Sequence, residues 1–476
     1  MSPHAPVDLA TPIEKAFLVA VDTGSDPGWT AEDSLAELAS LADTAGADVV
    51  GAEWQNRRHV DPSWYVGKGK AQELVAAKGE TGFGLLVADD ELSPTQQRSL
   101  EQLLGVKVID RSRLILDIFA MHARTREGRL QVELAQLEYQ LPRLTRMWTH
   151  LSGTGGGIGT RGPGETQLET DRRVIRERIK RMKRRVEEVR QQRRVAARGR
   201  DRRLVPTVGI VGYTNAGKST LLNALVGEEV ALAEDRLFAT LDPTSRQVRL
   251  GDGQTAVVTD TVGFIHKLPH QLIDAFRATL EEVNRADVLV EVVDVSDPHA
   301  AEHRATVQQV LDELGAGDKP RLVALNKADL LADPGQDGPG EGTADGAAEA
   351  RVAPGAVLVS ALTGAGLPEL RAEIAALLGS LWVDVDVVVP YAEGALLAQV
   401  RERGSTEATY DEHGVRIAGR VPPAVAAALR RAAGIEDAPG DDDWGVAAQA
   451  DAADGADEAN VDLEPQPGDE AGDGEA

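Results

Sequence analysis

Short apolar runs alternate along this chain with stretches in which apolar residues recur at helical spacing. Lys15-Ala16-Phe17-Leu18-Val19-Ala20-Val21 predicts a strand, and residues 31–45, with Leu35, Leu38 and Leu41 on one face, predict a helix. A brief strand at 47–52, a helix around 69–78, a strand at 84–88, a helix at 94–104 and a strand at 106–109 continue the alternation. The pattern describes a small α/β domain over residues 15–120, after a lead at 1–14 with no periodicity. Gly67-Lys68-Gly69-Lys70 lacks the loop and hydroxyl of a phosphate grip and reads as a helix entry.

The period then changes. Leu130, Leu134, Leu137, Leu141 and Leu144 step by alternating fours and threes, as do Ile175, Ile179, Met182, Val186 and Val189. Two such seams suit an antiparallel pair of helices packed along each other, with Pro142 ending or kinking the first. Between them, Leu151 to Gly164 is too rich in glycine and polar residues for a core and predicts a pliable tip. Within it Gly157-x-Gly159-x-x-Gly162 has neither the preceding strand nor the βαβ unit of a dinucleotide fingerprint. This hairpin covers residues 121–203. Strands at 204–211, 256–263, 322–325 and 357–362, with helices between, predict a second α/β domain over 204–380. It contains an aperiodic insertion at 332–355. A strand at 383–389, a helix at 393–403, strands at 406–410 and 414–419 and a helix at 422–433 make a small α+β domain over 381–433. Residues 434–476 carry no core pattern.

Charge sharpens this division. The 476 residues carry −26, which taken whole argues against nucleic acid, but Arg124 to Arg203 holds 22 Lys/Arg against 10 Asp/Glu. From Ala432 to the end there are 15 acidic residues and no basic one. One basic block in an acidic chain points to a phosphate backbone, without separating RNA from DNA. The candidate contacts are Arg161 in the tip and Arg172, Arg173, Arg176, Lys180 and Arg184 on a second helix of roughly 45–50 Å. Cysteine is absent, excluding disulfides and thiolate metal sites, and no run of about eighteen apolar residues could span a bilayer. A cytoplasmic monomer is expected, with partial association with a membrane surface left open.

The chemistry sits in the second α/β domain. Gly212-Tyr213-Thr214-Asn215-Ala216-Gly217-Lys218-Ser219 fits G-x-x-x-x-G-K-[ST], after a strand and before a helix, where free N–H groups and the helix dipole receive phosphates. Lys218 would reach the outer phosphates and Ser219 would ligate Mg2+. Phe238-Ala239-Thr240-Leu241-Asp242 is the candidate first switch, with Thr240 closing on Mg2+ and the terminal phosphate. In Asp260-Thr261-Val262-Gly263, Asp260 would hold Mg2+ through water and the Gly263 N–H would sense the γ-phosphate. Lys218, Thr240 and Gly263 are thus the candidate catalytic groups. In Asn326-Lys327-Ala328-Asp329, Asp329 can accept from the ring N–H and exocyclic amine of guanine, a donor pair that adenine lacks. Asn326 and Lys327 brace this loop, and Ser360-Ala361-Leu362 would give backbone contacts to the guanine oxygen. Phe264 stands where many such switches have a water-orienting Gln, and Asn215 could help hold K+ beside the phosphates. Slow hydrolysis, stimulated by a partner or by potassium, is the expectation.

These motifs, the N-terminal α/β domain and the basic hairpin with its Gly162-Pro163-Gly164-Glu165-Thr166-Gln167-Leu168-Glu169 exit closely resemble the HflX family of translation GTPases over about residues 15–430. Era-like and Obg-like GTPases share the nucleotide motifs but not this N-terminal arrangement. The resemblance implies an α/β fold built on a P-loop GTPase domain. It also implies a ribosome-associated GTPase that binds GTP and GDP, engages the large subunit and its RNA, and splits stalled or idle ribosomes, often in stress. Two other classes stay open: an RNA-maturation or ribosome-assembly GTPase, and a regulatory GTP-dependent binding protein.

Overall fold

The computed structural model describes residues 13–24, 28–144, 163–201, 205–227, 237–238, 240–251, 254–269, 281–331, 355–394, 396–397, 400 and 405–435. Arg161, Ala239, the 151–162 tip, residues 332–354 and the acidic tail from 436 lie outside them.

The N-terminal part is a parallel sheet in the order β2-β1-β3-β4, built from β1 (Lys15–Asp22), β2 (Asp48–Asn56), β3 (Leu85–Ala88) and β4 (Lys107–Asp110). The two inner strands β1 and β3 are nearly continuous buried runs, as strands covered on both faces must be. Its helices are α1 (Ala31–Thr44), α2 (Lys68–Thr81), α3 (Pro94–Leu104) and α4 (Arg111–His122). Helix α1 begins at a Thr30/Asp33 capping box and α3 at Ser93/Gln96, each satisfying otherwise orphaned N–H groups. Gly67 caps α2 and Lys70 pairs with Glu53 and Glu73, so that segment is a helix entry. Strand β2 runs four residues beyond the sequence expectation, and α4 was not foreseen.

The hairpin pairs α5 (Arg126–Arg143) with α6 (Pro163–Asp201). Leu134, Leu137, Ile179, Met182 and Val186 are buried together, flanked by Leu130, Leu141 and Ile175. Pro142 lies in the last turn of α5, where the helix stops one residue later. Asp110 ties this arm to the N-terminal sheet, accepting from Tyr139 Oη at 2.8 Å and Arg143 Nη2 at 2.9 Å.

The third layer is a six-stranded sheet in the order β10-β9-β8-β5-β7-β6. Its strands are β5 (Thr207–Gly212), β6 (Thr244–Gly251), β7 (Gln254–Asp260), β8 (Val288–Asp294), β9 (Arg321–Asn326) and β10 (Val357–Leu358). All pairs are parallel except β6 on β7. Helices α7 (Lys218–Val226), α8 (Ala300–Glu313) and α9 (Leu367–Ser380) accompany it. The expected strand at 357–362 is corrected to two residues, because Ser360 to Ala365 close a turn through the Ser360 N–H to Ala365 C=O bond and the Gly364 N–H to Ser360 C=O bond. The C-terminal unit is an antiparallel sheet, β11 (Val383–Val389), β13 (Val415–Val421) and β12 (Ser405–Tyr410), covered by α10 (Pro423–Ala432). Strand β11 alternates buried and exposed residues, as a one-sided sheet requires. Glu393 closes a 3-10 turn from Tyr391, and the described residues that follow, 394, 396–397 and 400, are helical, so the expected helix begins one residue later.

One hydrophobic core crosses from the four-stranded sheet to the six-stranded one. It gathers Leu18, Leu38 and Phe119 with Phe238, Leu241 and Phe264. Phe119 of α4 meets Phe238 edge-on at 4.7 Å between ring centroids.

Candidate nucleotide site

Strand β5 delivers the chain to a tight loop at its C-terminal end. Gly212 has φ +150°, and a Cβ there would stand 2.4 Å from the Val292 carbonyl oxygen. Gly217 has φ +92°, and a Cβ there would stand 2.3 Å from Asn326 Nδ2. Neither position accepts a side chain. Between them lie Tyr213, Thr214 and Ala216, all buried, and the exposed Asn215 at φ +58°. Lys218 and Ser219 then start α7.

Lys218 is buried and donates to the Tyr213 carbonyl at 2.6 Å. Burial pushes its ammonium down to about 8, against the opposing pull of Asp260. A phosphate would supply the missing counter-charge. Ser219 Oγ stands 2.7 Å from Thr240 Oγ1 and donates to Asp260 Oδ2 at 2.6 Å. Asp260 Oδ1 is buried with no hydrogen-bond partner. Burial raises the Asp260 carboxyl, and the Ser219 hydroxyl and Lys218 only partly offset it. Two hydroxyls and an under-satisfied carboxylate, all hard oxygen donors, fit a magnesium ion. Among the described residues no group of three or more His, Asp or Glu gathers elsewhere as a metal site.

The Asp260–Gly263 segment is stitched to the phosphate loop. The Thr214 N–H donates to the Phe264 carbonyl at 2.8 Å and the Phe264 N–H to the Gly212 carbonyl at 3.1 Å. Thr261 Oγ1 donates to the Ile210 carbonyl at 2.6 Å, and Val262 is buried. Phe264 is 1% exposed and belongs to the shared core, so its side chain faces away from solvent.

On the base side, Asn326 Nδ2 donates to the Ala216 carbonyl at 2.8 Å, and Asn326 Oδ1 accepts from the Ala361 N–H at 3.0 Å. Asn326 thus clamps the phosphate loop to the last loop. Lys327, at φ +62°, pairs with Asp294 at 2.8 Å. Asp329 Oδ1 accepts from Ser360 Oγ at 2.5 Å, which leaves Oδ2 for a base. The Ala328 N–H donates to the Val359 carbonyl, and Leu362 is 79% exposed beside this loop.

The structure also brings up residues that sequence reasoning missed. The Tyr213 hydroxyl donates to Glu37 of α1 and accepts from the His266 N–H at 2.8 Å. Glu37 pairs with Arg111, which is 1% exposed and also pairs with Asp89 at 2.9 Å and donates to the His266 carbonyl at 3.1 Å. Lys267 pairs with Asp89 and Asp90 at 2.6 and 2.8 Å. Burial alone would raise the Asp89 carboxyl, but Arg111 and Lys267 outweigh it and hold it low. From the first switch, Asp242 accepts from the Arg124 and Thr125 N–H groups at 2.8 Å each and from Thr125 Oγ1 at 2.5 Å. A charged residue opening an apolar helix, as Arg111 does, was the one available signal.

On the arm, Arg173, Arg176, Lys180 and Arg184 are exposed and Arg172 is half-buried. Arg178 and Lys183 are exposed too, and pair across the hairpin with Glu133 and Glu138. Among the described residues, no helix is long and apolar enough to cross a membrane.

Three families match in sequence along the chain. Residues 32–120 match the GTP-binding GTPase N-terminal family, 122–200 the GTP-binding GTPase Middle Region and 207–327 the 50S ribosome-binding GTPase family. The chain is 44% identical to the GTPase HflX of Caldanaerobacter subterraneus subsp. tengcongensis over 89% of its own length and 94% of that protein's. It is 43% identical to the GTPase HflX of Escherichia coli K12, over 84% and 91% respectively. Among solved structures, the crystal structure of the SsGBP and GDP complex aligns with 77% of this chain and 98% of that one, at 25% identity and a TM-score of 0.43. Such identity, held across nearly the full length of these relatives, means that the chain belongs to the HflX family of GTPases.

Proposed function

We propose that this GTPase is a guanine-nucleotide switch that binds the large ribosomal subunit and dissociates stalled or idle ribosomes in stress, hydrolysing GTP slowly until a ribosome stimulates it. The observation that carries the reading is the hook of Asp242, from the first switch, on the N-terminus of α5. A nucleotide that moves the switch has a direct path to the basic arm. Exposed arginines on α6 supply a phosphate-binding face, which suits ribosomal RNA. The match of residues 207–327 to a 50S ribosome-binding family supports the same partner.

In this reading Lys218 leaves the Tyr213 carbonyl for the β- and γ-phosphates, and the Gly263 N–H reports the γ-phosphate. Ser219 and Thr240 would hold magnesium with Asp260 beside them, and bound magnesium would supply positive charge opposite the phosphates. Asp329 selects guanine. Phe264, held in the core, cannot orient the attacking water, so the unassisted rate is slow. Asn215 helps hold potassium beside the phosphates, adding charge that the transition state uses.

Gradient sedimentation of ribosomes with the purified chain and a non-hydrolysable GTP analogue tests this. Dissociated subunits are expected. Intact particles with precursor binding would favour an assembly role, and no association with any ribosomal particle would favour a regulator of another protein. Turnover measured in sodium and in potassium, with and without ribosomes, tests the catalytic part. A fast rate indifferent to both would overturn it.

A further inference from the structure

With Phe264 at the position after D-x-x-G the attacking water has no side-chain partner there, and the structure holds one in the phosphate loop. Thr214 is 7% exposed, and its Oγ1 is buried with no hydrogen-bond partner. A buried hydroxyl in that state costs stability unless a ligand satisfies it. Its surroundings say which ligand. A methyl group placed on Gly263 would stand 2.9 Å from Lys218 Nζ, 2.9 Å from Thr214 Cα and 2.9 Å from Thr214 Cγ2. Thr214, Lys218 and Gly263 therefore converge on one point, the corner that the proposed function assigns to the γ-phosphate.

The backbone holds Thr214 there. Its N–H is bonded to the Phe264 carbonyl, and the preceding residue, Tyr213, forms a parallel bridge with Phe264. The loop that carries Phe264 in place of a glutamine is thereby the loop that fixes the hydroxyl. Rotation of about 120° around χ1 carries Oγ1 to the place Cγ2 occupies, between staggered states open to threonine. No backbone movement is needed to present either to the corner.

We infer that Thr214 is a catalytic residue whose hydroxyl takes the place of the missing glutamine. Its oxygen accepts a hydrogen bond from the attacking water while its O–H donates a hydrogen bond to a γ-phosphate oxygen. The water oxygen bonds to the γ-phosphorus as the bond from that phosphorus to the β–γ bridging oxygen breaks. The electron pair leaves on GDP, the water's protons pass to inorganic phosphate and solvent, and Thr214 keeps its own. The inference rests on the GTP-hydrolysis reading above and adds a residue to it.

Thr214→Val preserves shape and removes the hydroxyl, whereas Thr214→Ser keeps the hydroxyl and removes the methyl group. The test is single-turnover GTP hydrolysis by the full chain in potassium and magnesium, beside the affinity for a fluorescent GDP. Thr214→Val is expected to lose on the order of a hundredfold in rate, the scale of one positioned transition-state hydrogen bond, with GDP affinity kept within about twofold. Thr214→Ser is expected to recover most of that rate. Hydrolysis by Thr214→Val at the wild-type rate would overturn the inference, as would equal losses in both variants or a matching loss of GDP affinity. A wild-type chain that binds GTP and never hydrolyses it would overturn the underlying reading and this one together.

Discussion

Tyr213 and Glu37 are 176 residues apart in sequence, yet the phenol of one donates to the carboxylate of the other. The phosphate loop is thereby tied to the N-terminal sheet. The same hydroxyl accepts from the His266 N–H, so one atom joins α1, the phosphate loop and the segment after Gly263. Tyr213→Phe would keep the ring stacked on His303, whose centroid is 3.8 Å away, and strip both bonds. A loss of about 1–3 kcal/mol in stability against denaturant is expected, since the His266 N–H and Glu37 are left with unmet demand. An unchanged midpoint would mean that these bonds contribute nothing.

Arg111 carries a larger share. It is buried between Glu37 and Asp89, of which Asp89 is the more deeply buried. Arg111→Met fills similar volume but takes the shared guanidinium from both acids, leaving Asp89 to Lys267 and Glu37 to Tyr213, which should cost about 3 kcal/mol. The double variant Arg111→Met with Glu37→Leu should cost less than the two single changes added together. Additive losses in urea titrations would show that the pair is not coupled.

How far the sequence disclosed this molecule depended on whether the information was local. The phosphate loop, the Asp260 and Asn326 motifs and the heptad seams were readable because each is a contiguous string or a fixed period. Helix α4 was not, because Leu114, Ile115, Leu116, Ile118 and Phe119 are all buried and leave no polar face to set a period. Strand β6 was missed for the opposite reason: only Val248 and Leu250 of its eight residues are buried, as befits an edge. The Glu37–Arg111–Asp89–Lys267 network has no sequence signal beyond a charge at the head of an apolar helix. Its members meet only once both sheets are packed, so nothing in the spacing of the four could announce it.

His303 links this interface to pH. It is stacked on Tyr213, lies 3.7 Å from Asp297, and is near Trp29, His299, Glu37 and Glu302. Burial lowers its pKa below the usual imidazole value, and the nearby acids only partly oppose this. The unfolded chain therefore takes up a proton first as pH falls through about 6.5. Stability should decline from there until the folded imidazole also protonates, and should recover as pH rises. Thermal unfolding at pH 7.5 and 5.5 is expected to show a smaller drop for His303→Gln than for the wild type. Equal drops would remove His303 as the source.

Asp329 offers a test of base selection that needs no partner. One of its oxygens is taken by Ser360, and the other is the acceptor proposed for the base. Asparagine there presents an N–H in place of an acceptor. Asp329→Asn should weaken GDP binding by about 1–3 kcal/mol and favour xanthosine diphosphate, which carries an oxygen where guanine has an amine. Competition against a fluorescent nucleotide reads both. Retained preference for guanine would mean that another group selects the base.

The hook between Asp242 and Thr125 is where nucleotide state should pass to the arm. Asp242 occupies the last position of the candidate first switch, and its carboxylate receives two backbone N–H groups and a hydroxyl from the turn that starts α5. Those N–H groups belong to a helix entry, so the carboxylate is also favoured by the helix dipole. Gly128, in the first turn of that helix, has no space for a Cβ, which would stand 2.6 Å from Asp242 Oδ1. The contact is therefore close enough that displacing residues 240–242 must either drag the helix entry or break the hook. Asp242→Ala removes all three bonds and leaves Ser219, Asp260 and Asn326 untouched. GTP affinity should stay within about threefold, while the difference in ribosome affinity between the GTP-analogue and GDP states should shrink roughly tenfold, the loss of about 1.4 kcal/mol of coupling. Gly128→Ala, which crowds the same hook without removing a charge, should shift the coupling in the same direction. If both variants keep the full nucleotide dependence in co-sedimentation, the signal reaches the arm by another route, and the Tyr213–Glu37 tie to the N-terminal sheet becomes the one to break next.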